Sequence, residues 1–223
     1  MPCSFENKSS LRQDLTFYGF KKAWSSYGLP HNGALFSNLS IDDQSEHCYT
    51  NIGLWLSDQN PFQIRCILDQ GTHAAQTDFK GDLINQLLEV FAYLKLQCVE
   101  NHPQTGKINR SNYLLIALRE GLVNATVHRD YSIVAPITIF IRKDAILIES
   151  PGRPVENLNK EMILVGFSAL RNKGLAEILT QLHFMENMGT GLRRIRKSSP
   201  NEWMQPRIDI DGEFFRLTIP TNA

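Results

Sequence analysis

Several features are missing from this 223-residue chain, and each absence removes a class of protein. No stretch approaches the ~18 consecutive apolar residues that a membrane-spanning helix requires. The first residues, MPCSFENKSS, hold no apolar core of the kind a secretory leader carries. The chain therefore reads as soluble and cytoplasmic, with no membrane partner. An excess of charge of one sign is also missing, because 23 Lys and Arg balance 23 Asp and Glu. With zero formal net charge there is no overall pull toward a phosphate backbone, and any nucleic-acid contact needs a local basic patch. The four cysteines, Cys3, Cys48, Cys66 and Cys98, stand far apart and form no CxxC pair or Cys/His cluster. They read as reduced thiols rather than as zinc ligands or a disulfide frame. There is no GxxxxGK[ST] phosphate loop and no helicase motif set.

What is present is the pattern of an ordinary globular chain, 42% hydrophobic and long enough for one large domain or two small ones. Leu11, Leu15, Tyr18 and Lys22 recur at helical spacing and predict a helix that stops at Gly28 and Pro30. Trp24, Phe36 and Trp55 read as core residues. FQIRCILDQG reads as a strand, since Phe62, Ile64, Cys66 and Leu68 alternate with more polar neighbours. Leu83, Leu87, Phe91 and Leu94 predict an amphipathic helix. Asn112 is a candidate N-cap for a further helix from Tyr113 to about Arg129, where His128 and Arg129 would suit the negative end of the dipole. Ile137–Ile141 and Ala145–Ile148 flank Arg142-Lys143-Asp144 as a hairpin. Two shorter helices, the sequence GTGL, a basic stretch and a final strand, EFFRLTIP, complete the chain. Helices first and a hairpin after them predict an α+β layer rather than a doubly wound parallel sheet.

Within the predicted helix REGLVNATVHRDYS, Glu120 and Asn124 fall on one face. A carboxylate and an amide so placed can share one ligand, such as a water or a hydrated Mg²⁺. In Gly189-Thr190-Gly191-Leu192, two glycines around a small residue let backbone N–H groups approach an anion, and Arg193, Arg194, Arg196 and Lys197 follow at once. In Ile146–Pro154, a strand ends in Glu149 and a Pro/Gly turn, a place that can present a carboxylate. His128-Arg129-Asp130 matches the kinase H-R-D, but Ala135 stands where that pattern needs Asn, and no DFG or glycine-rich strand turn accompanies it.

A Glu…Asn helix, a strand ending in a polar glycine turn and a GxGL segment follow one another in the order of the N, G1 and G2 boxes of GHKL (Bergerat-fold) ATPases. ALREGLVNATVHRDYS, ILIESPGRP, LRNKGLAEILTQL and MENMGTGLRRI together resemble a RecG-like family of transcriptional regulators that carries a GHKL-type ATP-binding module. The resemblance runs from about Leu11 to Thr218. It implies a GHKL-like two-layer sandwich, with a mixed, mainly antiparallel sheet and helices on one face, preceded by a smaller N-terminal α/β segment. Residues 1–60 would be the connecting segment and 61–223 the ATP-binding module. It implies ATP and Mg²⁺ as cofactors, Glu120 as general base toward water and Asn124 as the Mg²⁺ ligand. Glu149 and Gly152 would contact the nucleotide from the G1 position, and Gly189, Thr190, Gly191 and Leu192 from the lid. The expected activity is a slow Mg-dependent ATPase that regulates DNA binding, without helicase action. DNA would be contacted through domains outside this chain, which would be the C-terminal part of a longer protein, and homodimerisation is a further expectation. The G1 box departs from Asp-x-Gly-x-Gly: Glu149-Ser-Pro-Gly152-Arg153 has a longer acid and one glycine, and an imperfect partner for adenine would cost ~1–3 kcal/mol. The alternative is therefore a degenerate scaffold serving dimerisation or protein interaction without turnover. Direct DNA contact through Arg193, Arg194, Arg196 and Lys197 is the third reading.

Overall fold

The computed structural model describes residues 4–29, 39–43, 46–69, 71, 73–100, 108–155, 158–185 and 190–221. Among them the chain runs α1 (Tyr18–Ser26), β1 (Ser40–Asp43), β2 (Glu46–Tyr49), α2 (Asn51–Leu56), β3 (Ile64–Asp69), β4 (Ala74–Phe79), α3 (Leu83–Lys95), α4 (Ile108–His128), β5 (Ile137–Ile141), β6 (Ala145–Pro151), α5 (Lys160–Leu164), α6 (Lys173–Gln181), α7 (Gly191–Ser198), β7 (Arg207–Asp211) and β8 (Phe214–Pro220). β1 and β2 form a small separate hairpin, while the other strands make a six-stranded sheet in the order β4-β3-β5-β6-β8-β7. Only β3 against β5 is parallel; every other pairing in that sheet is antiparallel. The chain is thus α+β, with a mixed sheet in a two-layer arrangement.

The layers follow from strand alternation. Ile139 pairs with Ile148, and Ile148 with Leu217, so one face of three neighbouring strands is a continuous aliphatic surface. α3 covers β3 and β4, and α4 lies across β6 and β8. Gly121 allows α4 to come this close, since a Cβ there would stand 2.7 Å from Ile148 Cδ1 and 3.0 Å from Leu217 Cδ2. The opposite face is half-exposed and held by ion pairs, Arg65–Asp78 and Arg216–Glu149 among them.

The residues before β3 pack into the same core. Trp24 and Trp55 are buried, and the Trp55 ring stacks on Tyr131, just past α4, with centroids 3.8 Å apart. Phe36 lies outside the described residues. Glu6 reaches furthest in sequence: its buried carboxylate accepts from the Gly174 and Leu175 N–H groups at 3.1 and 3.3 Å, capping α6.

Two predicted helix starts differ in the structure. α1 begins at Tyr18 rather than near Leu11, which is fully exposed. Its start is set by Asp58, whose carboxylate accepts from the Tyr18 and Gly19 N–H groups, each at 2.9 Å, and from Thr16 Oγ1 at 2.7 Å. A cap supplied from across the fold leaves no mark in the local sequence. α4 begins at Ile108, so Asn112 lies inside it rather than capping it. The hairpin, the helix containing Leu83–Leu94, the shorter helices and the final strand stand as expected. β1, β2, α2, β4 and β7 go beyond the elements the sequence predicts. β4 is a polar edge strand, whereas β7, RIDID, alternates and leads into Asp211-Gly212, a hairpin signal the sequence does carry. No helix among the described residues is long and apolar enough to cross a membrane, and none of their His, Cys, Asp and Glu side chains form a metal-binding group of three.

Candidate functional site

α4 is held against the sheet on one side and against α7 on the other. Its glycine faces the sheet, and Glu120 and Asn124 face the start of α7. A Cβ on Gly191 would lie 2.6 Å from Glu120 Oε2 and 3.1 Å from Asn124 Nδ2. A larger residue here would push the Glu120 carboxylate aside, because the first turn of α7 rests on the two polar side chains. Glu120 Oε1 also accepts from Arg194 Nη1 at 2.9 Å, with the carboxylate side chain only 16% exposed.

The strand-end site comes from β6. Ile146, Ile148 and Ser150 share one phase of the strand and are buried, and Ser150 Oγ donates to the Ala125 carbonyl of α4 at 2.7 Å. Glu149 is in the opposite phase. It projects from the other face of the sheet, where Arg216 Nε donates to it at 2.5 Å and Arg216 Nη1 also reaches Asp211. The turn that follows depends on Gly152, at φ +113°, with Asp130 N only 2.9 Å from where its Cβ would be. The turn is stitched on both sides: Asp130 N donates to the Pro151 carbonyl at 2.7 Å, and Gly152 N to the Glu213 carbonyl at 2.6 Å.

Between α4, the end of β6 and the start of α7 lies a largely apolar cavity of about 100 Å³. Asn124, His128, Ser150, Gly152, Gly191 and Leu192 are among its walls, and Gly166, Phe167 and Leu170 cover it from the segment after α5. Of the residues singled out in the sequence, Asn124, Gly152, Gly191 and Leu192 are brought together here. Glu120 stands beside Asn124 and Gly191 without lining the cavity, and Thr190 precedes α7 at its N-cap. Glu149 points away, and Gly189 lies outside the described residues.

Two cavity residues escape a motif reading. Ser150 is legible in retrospect, because it keeps the phase of Ile146 and Ile148. His128, at the helix end where a charged dipole partner is expected, lines the cavity instead, and burial, followed by the nearby Arg171 charge, pushes its pKa down to about 4. It is neutral at physiological pH. Arg129, its neighbour, is buried between the rings of Phe62 and Tyr131, 4.5 and 4.9 Å from their centroids.

The end of α4 is fastened by Arg171 and Asn172. Asn172 Nδ2 donates to the Val127 and Arg129 carbonyls at 3.0 and 2.8 Å, while Arg171 meets the His128 carbonyl, Asp130 and the Arg153 carbonyl. Three of the four basic side chains in α7 bond within the fold. Arg193 donates to the Val165 carbonyl and Arg196 to the Leu164 carbonyl, tying α7 to the end of α5, and Arg194 holds Glu120.

Residues 135–219 match the model of a family described as "Putative ATP-dependent DNA helicase recG C-terminal". The RecG-like resemblance of the motifs is borne out over this segment, which runs from just before β5 through β8. Glu120 and Asn124 precede it and are joined to it by the cavity. No curated protein matches the chain. Among solved structures, that of the DIP2311 protein from Corynebacterium diphtheriae is similar in fold, with a TM-score of 0.75 at 19% identity over 99% of this chain. This chain spans 41% of the length of that one.

Proposed function

We propose that the cavity is a nucleotide site and that the chain is an ATP-binding module of GHKL type, regulating a DNA-binding partner domain that lies outside this chain. The observation that carries this reading is the convergence of Asn124, Gly152, Gly191 and Leu192, drawn from three separate segments, on one apolar pocket. The family match over residues 135–219 supports it. An apolar pocket with a few polar groups fits a heteroaromatic ring. The close approach of Gly191 to Glu120 and Asn124 fits contact between backbone and phosphate beside those two side chains.

Bound Mg-ATP would supply a phosphoanhydride whose charge the metal screens. Asn124 is the group that would hold Mg²⁺, an ion commonly bound through few protein oxygens together with phosphates and water. Glu120, beside Asn124, is the carboxylate that would take a proton from water. Ser150, rather than Glu149, faces the cavity; its hydrogen is donated to Ala125, which leaves its lone pairs to accept from an adenine amino group. Since three basic side chains of α7 are engaged internally, DNA contact falls to other domains.

Thermal-shift titration with Mg-ATP and Mg-ADP tests the reading. Both should raise the melting temperature, because a ligand that binds only the folded state stabilises it. Asn124→Ala should remove the shift. Ser150→Val should weaken it and Glu149→Ala should leave it intact; the reverse order would place the base contact on the other face of β6. The Arg194–Glu120 pair favours a second reading, an inactive scaffold whose base is neutralised. A flat melting curve at millimolar nucleotide would select it.

A further inference from the structure

We infer that Arg194 is the residue that receives the terminal phosphates of the nucleotide, and that it does so by exchanging Glu120 for them. The inference rests on the nucleotide reading of the cavity and adds to it a binding residue and a release step for the proposed base. Arg194 Nη1 stands 2.9 Å from Glu120 Oε1, in the first turn of α7, where Gly191 already touches Glu120 and Asn124. Any polyphosphate reaching Asn124 must therefore arrive beside this ion pair.

The two partners respond in opposite ways. A carboxylate repels an incoming phosphate, whereas a guanidinium binds it with two parallel N–H donors. The Arg194 side chain is 37% exposed, so it can turn without breaking the core. Its neighbours are not equivalent. Arg193 and Arg196 are fixed to the carbonyls of Val165 and Leu164, on the side of α7 that faces α5. Arg194 faces α4 and the acid. The exchange leaves Glu120 free to engage water only when phosphate is present, so that base availability follows occupancy.

The test is a calorimetric titration of the whole chain with adenosine, ADP and ATP in Mg²⁺ buffer, for the unaltered protein and for Arg194→Ala, Arg194→Lys and Glu120→Gln. The unaltered protein should bind ATP more tightly than adenosine. Arg194→Ala should keep its adenosine affinity and lose about 10- to 100-fold for ATP, the usual worth of a charge-assisted hydrogen bond. Arg194→Lys, which retains charge but not the fork, should fall between. Glu120→Gln should bind ATP more tightly than the unaltered protein, because the competitor for Arg194 has lost its charge. An Arg194→Ala protein that keeps the full step from adenosine to ATP would overturn the exchange while leaving the nucleotide reading in place. Equal losses for adenosine and ATP would make Arg194 a structural residue and overturn it as well. If the unaltered protein bound none of the three, the nucleotide reading itself would fall, and the exchange with it.

Discussion

Gly152→Ala is expected to destabilise the fold by about 3 kcal/mol or more and to abolish ligand binding in the cavity. Two independent costs combine. The backbone at φ +113° is a conformation that a side chain resists, and the new Cβ would press on Asp130, whose N lies 2.9 Å away. That neighbour is backbone just past the end of α4, so it cannot rotate aside. Relief requires separating β6 from α4, which breaks the Asp130 N to Pro151 O hydrogen bond and displaces Ser150 and His128 from the cavity wall. Gly28→Ala provides the control. Gly28 also has a positive φ, +68°, but nothing lies within 4 Å of its Cβ position, so only the conformational cost of about 1 kcal/mol applies. Denaturant unfolding of both variants separates the terms. Equal losses would show that contact with Asp130 contributes nothing.

Acid is expected to destabilise the protein in a window set by His128. Its folded pKa is about 4, below the ordinary 6.5, because burial and Arg171 oppose the charged form. Above pH 6.5 both states hold a neutral ring, and the contribution to stability is fully present. As pH falls from 6.5 to 4 the unfolded chain takes up a proton that the folded chain refuses, so stability declines, and the loss is complete below pH 4. Over about 2.5 pH units this amounts to on the order of 3 kcal/mol, a sizeable part of a typical domain's total. Carboxylates held low by partners, such as Asp58 under three donors, lose their contribution only at lower pH, below 3.8. Melting temperature against pH, compared with His128→Asn, checks this. If both proteins decline equally between pH 6.5 and 4, His128 is not the cause.

How much was legible in the sequence varies with the range of the forces involved. The β5–β6 hairpin and α3 were read correctly because their apolar periodicity is local and strong. α1 was read too long because Leu11, Leu15 and Tyr18 keep helical spacing, yet the cap that starts the helix is Asp58. Glu120 and Asn124 are candidates legible in the sequence because a helix repeat puts them on one face. Strand alternation puts Ser150 and Glu149 on opposite faces of β6, and only the structure shows that the cavity lies on the Ser150 side.

The sequence alone determined the strongly periodic segments, α3 and the β5–β6 hairpin among them, and which of their residues share a face. The fold decided what covers each face and who meets whom across it. Arg194 found Glu120, Arg193 and Arg196 found the carbonyls after α5, Glu6 capped a helix 168 residues away, and His128 became neutral inside a cavity rather than charged at a helix end. Periodicity is a property of neighbours along the chain, whereas an ion pair, a distant cap or a desolvated ring exists only once remote segments have packed together. For that reason the sequence offers candidate residues, while their partners and protonation belong to the fold.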